Sequence, residues 1–451
     1  MSQLYASLFY QPQVTEIFSD RALVMYMVEA ETALAKAQAE VGVIPQSAAT
    51  VIQQVAQNVL DKIDFDALAV AAGLAGNIAI PFVKQLTAIV KAQDPEAARF
   101  VHWGATSQDI LDTACILQCR DALAQIETLL QQCYQTTLMQ TEIYRHQVMI
   151  GRTWLQQALP ITFGHKLARW ASGFKRDLDR LETIKSRVFT AQLGGAVGSL
   201  ASLQQHGSAV VAAYSKCLGL SQPSCTWHGE RDRLVELAST VALIMGSLGK
   251  MARDWSLMMQ TEIGEVSEPT AKGRGGSSTM PHKRNPVAAA AILAAANRVP
   301  VLMSSLYQSM VQEHERSLGS WHAEWLAIPE IFQLTAGSLA RTLDVLKGME
   351  VDVDRMKNNL ECTSGLIMAE AVMMALAPKM GRLQAHHVVE AACQTAIENQ
   401  VHLMSVISEL DEVKQHFTLD QIQQFFSSDS YLGNIQDQID TVLQEATGEI
   451  Q

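Results

Sequence analysis

Along the middle of the chain, apolar residues recur with the period of long, packed helices. Leu234, Leu237, Val241, Ile244, Leu248, Met251, Trp255 and Met258 alternate three and four positions apart. That spacing is the 3.5-residue seam of a helix buried along its whole length, here about 37 Å at ~1.5 Å per residue. A second seam, Ile116, Cys119, Leu123, Ile126, Leu130, Cys133 and Thr137, lies in a stretch from Ala105 to Ile150 with neither Gly nor Pro. Those two residues break helices most strongly, so one long helix is predicted there. A third is predicted to open at Asn285-Pro286, with Asn as cap and Pro in the first position, and to bend near Pro300. No comparable alternation of β-branched residues predicts a strand. The fold class is therefore all-α, with a central long-helix bundle at 112–352. Residues 1–111 and 353–451 carry shorter, mixed patterns and read as two smaller helical domains. Seams this long exceed what one subunit's bundle needs to bury, which predicts self-association.

Composition narrows the functional classes. With 48% apolar and 18% charged residues in 451, the chain is globular rather than disordered. Its 34 Lys/Arg against 46 Asp/Glu give a net charge of −12, which argues against nucleic acid or an anionic membrane as the main partner. Met1 to Asp20 lacks the basic and apolar regions of a signal peptide. Apolar charge-free stretches such as Val299 to Gln312 contain polar residues and fall short of the ~18 residues of a spanning helix. Seven cysteines without a CxxC pair point to a reducing cytoplasm, with Cys115 and Cys119, four apart in a helical segment, read as small core residues. The histidines show no metal-ligand spacing, so neither a metal nor a cofactor is expected.

One stretch stands apart chemically. Lys272 to Pro286 holds three glycines, two serines, the cations Lys272, Arg274, Lys283 and Arg284, and no acid, so it is +4 within a −12 protein. A Gly-rich loop leaves backbone N–H groups able to point at an anion, and neighbouring cations reinforce them. The spacing of a phosphate-binding P-loop is absent. A surface linker with solvated charges has the same composition.

Gly276-Ser-Ser-Thr-Met-Pro-His-Lys-Arg-Asn-Pro286 resembles the GSSxMPxKxNP motif of the aspartase/fumarase superfamily. Two further segments resemble its other regions in the expected order, His102-Trp-Gly-Ala-Thr-Ser-Gln-Asp109 and Gly151-Arg-Thr-Trp-Leu-Gln-Gln-Ala-Leu-Pro160, as does a terminal Tyr431-Leu-Gly433. The resemblance implies a three-domain helical subunit and a homotetramer built on a shared bundle, with active sites shared between subunits. It implies metal-free chemistry in which a proton is removed α to a carboxylate and a group leaves the β carbon. Position by position, Ser277 matches the catalytic base and Asn285 a substrate-binding residue. Lys283 and the loop amides would stabilise the oxyanion that an ordinary serine cannot form unaided. Ser278 would support the loop geometry. Thr106 and Ser107 match a carboxylate-binding pair, with His102 on the same loop, Thr153 and Trp154 in the second region, and Arg316 from another loop. Thr106-x-x-Asp109 is equally a capping box that opens the long helix, and both roles can hold because a helix N-terminus suits a carboxylate.

The departures from the motif bear on the substrate. Lyases of this superfamily usually carry His where this chain has Trp154, and orient it with a Glu thirteen residues after the motif serine, where this chain has Ala290. An acid helps a basic leaving group to depart, whereas a carboxylate, with a pKa near ~4, needs none. Run in reverse, expulsion of a carboxylate is a lactonisation. Trp154 and Ala290 are similar to the bacterial carboxymuconate cycloisomerase branch of the superfamily, which implies lactonisation of a small tricarboxylate, 3-carboxy-cis,cis-muconate. The alternatives are an adenylosuccinate lyase-like enzyme, which would need an acid for its departing amine, and a non-catalytic helical scaffold.

Overall fold

The structure is a computed structural model and describes residues 3–447. Helices dominate it, and the chain forms two compact units. The first comprises residues up to Leu130 with Arg176–Gly249 and Ala291–Arg341; the second comprises Gln131–Lys175, Lys250–Ala290 and the residues from Thr342 on.

Helix α1, Asp20–Val41, shows how local sequence sets the boundaries. The Ser19 side chain caps the Ala22 N–H, and Gly42 ends the helix in the left-handed conformation at φ 84°. The predicted seams lie in α2, Ser107–Ile143, and in α5, Asp232–Met258. Between them run α3, Phe163–Val188, and α4, Gly207–Leu218; α6, Val287–Ser309, and α7, Ser320–Gly348, follow. All eight positions of the α5 seam and all seven of the α2 seam are buried. After α7, shorter helices include α8, Ala369–Met380, and α9, Arg382–Asn399, which share a core containing Val372, Leu376, Ala385 and Val389.

Three expectations are corrected. Helix α2 stops at Ile143, and Val148–Thr153 (β1) pairs antiparallel with Gln156–Thr162 (β2). Met149 and Ile150 are fully buried, and a short apolar run reads alike in a strand and in a helix. Asn285 does not cap α6: the Glu268 carboxylate accepts the N–H groups of Ala288 and Ala289, both at 2.9 Å. Finally, α5 and α6 are by length and composition long and apolar enough to cross a membrane, because scattered charges do not lower their mean hydropathy enough. The buried seam of α5 marks it as a core helix of the protein.

Candidate active site

The glycine-rich loop belongs to the second unit, and its shape follows from its glycines and two arginines. Gly273 and Gly275 adopt φ of 82° and 64°, and a Cβ on Gly275 would lie 2.8 Å from the Asn285 carbonyl oxygen. That close approach lets the Asn285 N–H donate to the Gly275 carbonyl at 2.9 Å, which closes the loop at its base. Arg274 pairs with Asp344, and Arg284 with Glu350 at 2.8 Å; Arg284 also donates to the Glu268 carbonyl at 2.7 Å. The Arg284 contact holds the Glu350 carboxyl below its usual range. Two of the four loop cations therefore fasten the loop, while Lys272 and Lys283 have no ion-pair partner among the described residues.

The two motif serines stand in different surroundings. The Ser277 Oγ accepts the backbone N–H groups of Thr279 at 3.3 Å and Met280 at 3.1 Å. Two donors on one oxygen favour its anionic form, the condition a serine base requires. Ser278 is exposed and has no such pair. The Asn285 side chain reaches the Gly276 carbonyl at 3.5 Å. Ala290 is exposed one turn into α6.

In the same unit, Thr153 and Gln156 are paired across a two-residue turn made by Trp154 and Leu155, with φ of 52° and 65°. Such turns favour Asn and Gly, yet Trp154 is 98% exposed at this tip. Beside it, Arg152 grips the fully buried Glu265 through two bonds of 2.7 and 2.9 Å, and Asn359 donates to the same carboxylate.

The first unit brings together His102, Thr106, Ser107 and Arg316. Ser107 opens α2, and the loop before it turns through His102 and Gly104 at φ 58° and 73°. A non-glycine residue there costs on the order of 1–3 kcal/mol, so the surroundings must hold it. Arg316 is exposed but held in place: its guanidinium donates to Thr106 Oγ1 at 2.9 Å, Gln108 Oε1 at 3.1 Å and the Ala196 carbonyl at 3.1 Å. The loop that presents it is folded on Glu313, which accepts from Ser317 Oγ and the Leu318 N–H. Those two bonds hold the Glu313 carboxyl below its usual range.

Beneath these residues lies a buried polar network that the motifs do not reveal. The Asp109 carboxylate accepts the N–H groups of Thr106, Gly194 and Gly195 at 2.8 to 2.9 Å and faces His228 Nε2 at 2.7 Å. The capping contact of Asp109 thus exists, while the Thr106 hydroxyl is turned to Arg316. Arg231, buried, bridges Asp112 (2.7 and 3.0 Å) and Glu324 (2.9 and 2.6 Å). Burial works against its charge, but the two carboxylates outweigh burial and raise its pKa. Gln108 links this triad to Arg316 by donating to Asp112 at 3.1 Å. The available signal is the spacing of Gln108, Asp109 and Asp112 ahead of an apolar seam. Their long-range partners lie 80 to 209 residues away and leave no local trace.

The lyase family model matches residues 9–301, and an adenylosuccinate lyase C-terminal model matches 365–442. The chain belongs to the aspartase/fumarase superfamily of lyases. It is 77% identical over 449 residues to the 3-carboxy-cis,cis-muconate cycloisomerase of Acinetobacter baylyi, covering 100% of both chains. It is 46% identical to the enzyme of that name from Pseudomonas aeruginosa, covering 98% of this chain and 96% of that one. Among solved structures, the beta-carboxy-cis,cis-muconate cycloisomerase of Acinetobacter calcoaceticus sp. ADP1 superposes with a TM-score of 0.94 at 74% identity, over 98% of this chain and 100% of that one. The all-α expectation and the superfamily resemblance are both borne out.

Proposed function

We propose that the chain is an intramolecular lyase that converts 3-carboxy-cis,cis-muconate to 4-carboxymuconolactone in aromatic-acid catabolism. The observation that carries this is the likeness to the Acinetobacter baylyi cycloisomerase over the whole of both chains. In the lactonising direction a substrate carboxylate adds to the diene, forming the ring C–O bond. The resulting enediolate is then protonated at the carbon α to a second carboxylate. Ser277 delivers that proton, a role supported by the two N–H groups on its Oγ. Lys283, with no ion-pair partner among the described residues, stabilises the enediolate. Thr106, Ser107, His102 and Arg316 hold carboxylates, and Thr153, Trp154, Ser278 and Asn285 shape the rest of the site. No metal or cofactor takes part. Trp154 and Ala290 fit a reaction whose reverse leaving group is a carboxylate and needs no acid.

The working form is a cytoplasmic homotetramer whose subunits have domains at 1–111, 112–352 and 353–451 and share their active sites. Exposed apolar residues on the long helices support it: Met139 on α2, Leu243 on α5, Val301 on α6 and Leu326 on α7. So does the exposed tip at Trp154. A stable monomer in light scattering would overturn the tetramer. The activity is tested by mixing the purified enzyme with 3-carboxy-cis,cis-muconate, where loss of the diene's ultraviolet absorbance is expected. Adenylosuccinate is expected to be inert. Cleavage of adenylosuccinate without bleaching of the muconate would replace this reading with the amine-releasing one that the C-terminal family match permits.

A further inference from the structure

Two polar residues interrupt the apolar seam of α1. Val24, Met27, Glu31, Leu34 and Gln38 alternate three and four apart, and all five are buried. Glu31 and Gln38 grip adjacent residues of one loop. Glu31 Oε1 lies 2.5 Å from His102 Nδ1, and Gln38 Nε2 donates to the Trp103 carbonyl at 2.6 Å. The His102 side chain is 19% exposed against 2% for Glu31, and its Nε2 has no partner among the described residues. The ring is thus anchored from inside at one nitrogen and presents the other outward, four residues before Thr106.

The charges that act most strongly on His102 are acidic. Glu31 approaches from α1 and Asp109 from α2, while the buried phenol of Tyr214 on α4 feels both carboxylates. Burial, the strongest single influence, lowers the His102 pKa. The attraction of Glu31, its hydrogen bond and the field of Asp109 together outweigh burial and raise it. Burial keeps Tyr214 protonated.

We propose that Glu31 is a positioning residue that holds His102 as an imidazolium, whose Nε2–H joins Thr106 and Ser107 in receiving one substrate carboxylate. This rests on the reading that the loop before α2 binds a carboxylate. The chain lacks a His–Glu pair at positions 154 and 290, yet it carries one at 102 and 31 with a different task. The pair supplies a fixed positive charge beside a helix N-terminus, and no proton is transferred to a leaving group.

The test is Glu31→Gln, which keeps an acceptor for Nδ1–H but removes the charge. The KM for 3-carboxy-cis,cis-muconate should rise about tenfold near neutral pH while kcat changes less than about threefold, since a paired charge worth one pKa unit is a factor of ten. In the wild type, KM should stay low below the His102 pKa and rise above it; in the variant that rise should begin at lower pH. Independently of turnover, the His102 resonance in [13Cε1]-histidine-labelled enzyme, assigned with His102→Gln, should titrate at lower pH in Glu31→Gln. An unmoved titration would overturn the charge-holding role. A moved titration with an unchanged KM would overturn the substrate contact. A wild-type enzyme inert to the muconate would sink the functional reading, while the titration still decides what Glu31 does. Should Glu31→Gln fail to fold, His102→Gln at the less buried partner must show the same KM increase without the pH-dependent limb.

Discussion

The stretch before α2 and the loop before α6 both gather hydrogen-bond donors and cations, but they are held in opposite ways. At residues 102–109 the backbone and side chains are fixed by partners from distant segments: Glu31, Gln38, Gly194, Gly195 and Arg316. At 272–286 the contacts of Ser277 and Asn285 are to the loop's own backbone, and Arg274, Arg284 and the base at Glu268 tie it to the rest. The first arrangement suits a group whose pose must not change, such as a carboxylate clamp. The second suits a group that delivers a proton and must be approached by substrate, because surface loops with few buried contacts open most easily.

The most severe test of this division is Ser277→Ala. If the loop carries the proton transfer, kcat should fall by about 10³-fold, within the range for a positioned acid–base group. Ser278→Ala should cost less than about tenfold by the same comparison, since it lacks the two N–H donors. Both are read from the rate at which the diene absorbance disappears. Equal losses would erase the distinction between the serines, and near-normal turnover in Ser277→Ala would move the proton elsewhere.

Next in size is a stability contrast. Arg231→Leu leaves Asp112 and Glu324 buried without their cation, which should lower stability by about 3–5 kcal/mol. Arg284→Ala removes a half-exposed pair and should cost about 0–1 kcal/mol. The urea midpoints of the two variants measure the difference. Comparable midpoints would mean that the network below the clamp is no firmer than the fastenings of the loop.

That contrast also explains which parts are legible in the sequence. The seams of α2 and α5 are readable because helix burial repeats every turn, and Ser277, Lys283 and Asn285 because a loop's chemistry is contiguous. Glu31, His228 and Arg231 are not, and Asp109 is legible only as a helix cap, since the rest of their meaning comes from residues far away along the chain. Glu31 and Gln38 do leave a trace as two polar positions in an apolar seam, but a pattern cannot name their partners. The hairpin escapes notice because its buried run is too short for a period of two to show. The cap of α6 is misassigned from local sequence because the group that fills the role, Glu268, lies 20 residues before Ala288 and reaches it through the fold.

The finest test asks whether the clamp works through charge or through shape. Arg316→Lys keeps the charge but cannot reach Thr106, Gln108 and the Ala196 carbonyl together, because an ammonium lacks the planar fork. A clamp that depends on shape predicts a KM increase of about tenfold, roughly 1.4 kcal/mol, with kcat changed far less. The loop presenting Arg316 adds a check on pH. Glu313 titrates below its usual range, so its contribution is present above the ordinary carboxylate pKa and is lost as pH falls through the lowered value. The KM of the wild type should therefore hold steady down to mildly acidic pH, while that of Glu313→Gln is already raised at neutrality. If Arg316→Lys binds as the wild type does, the buried scaffold serves stability alone and the two anion sites differ in firmness but not in purpose.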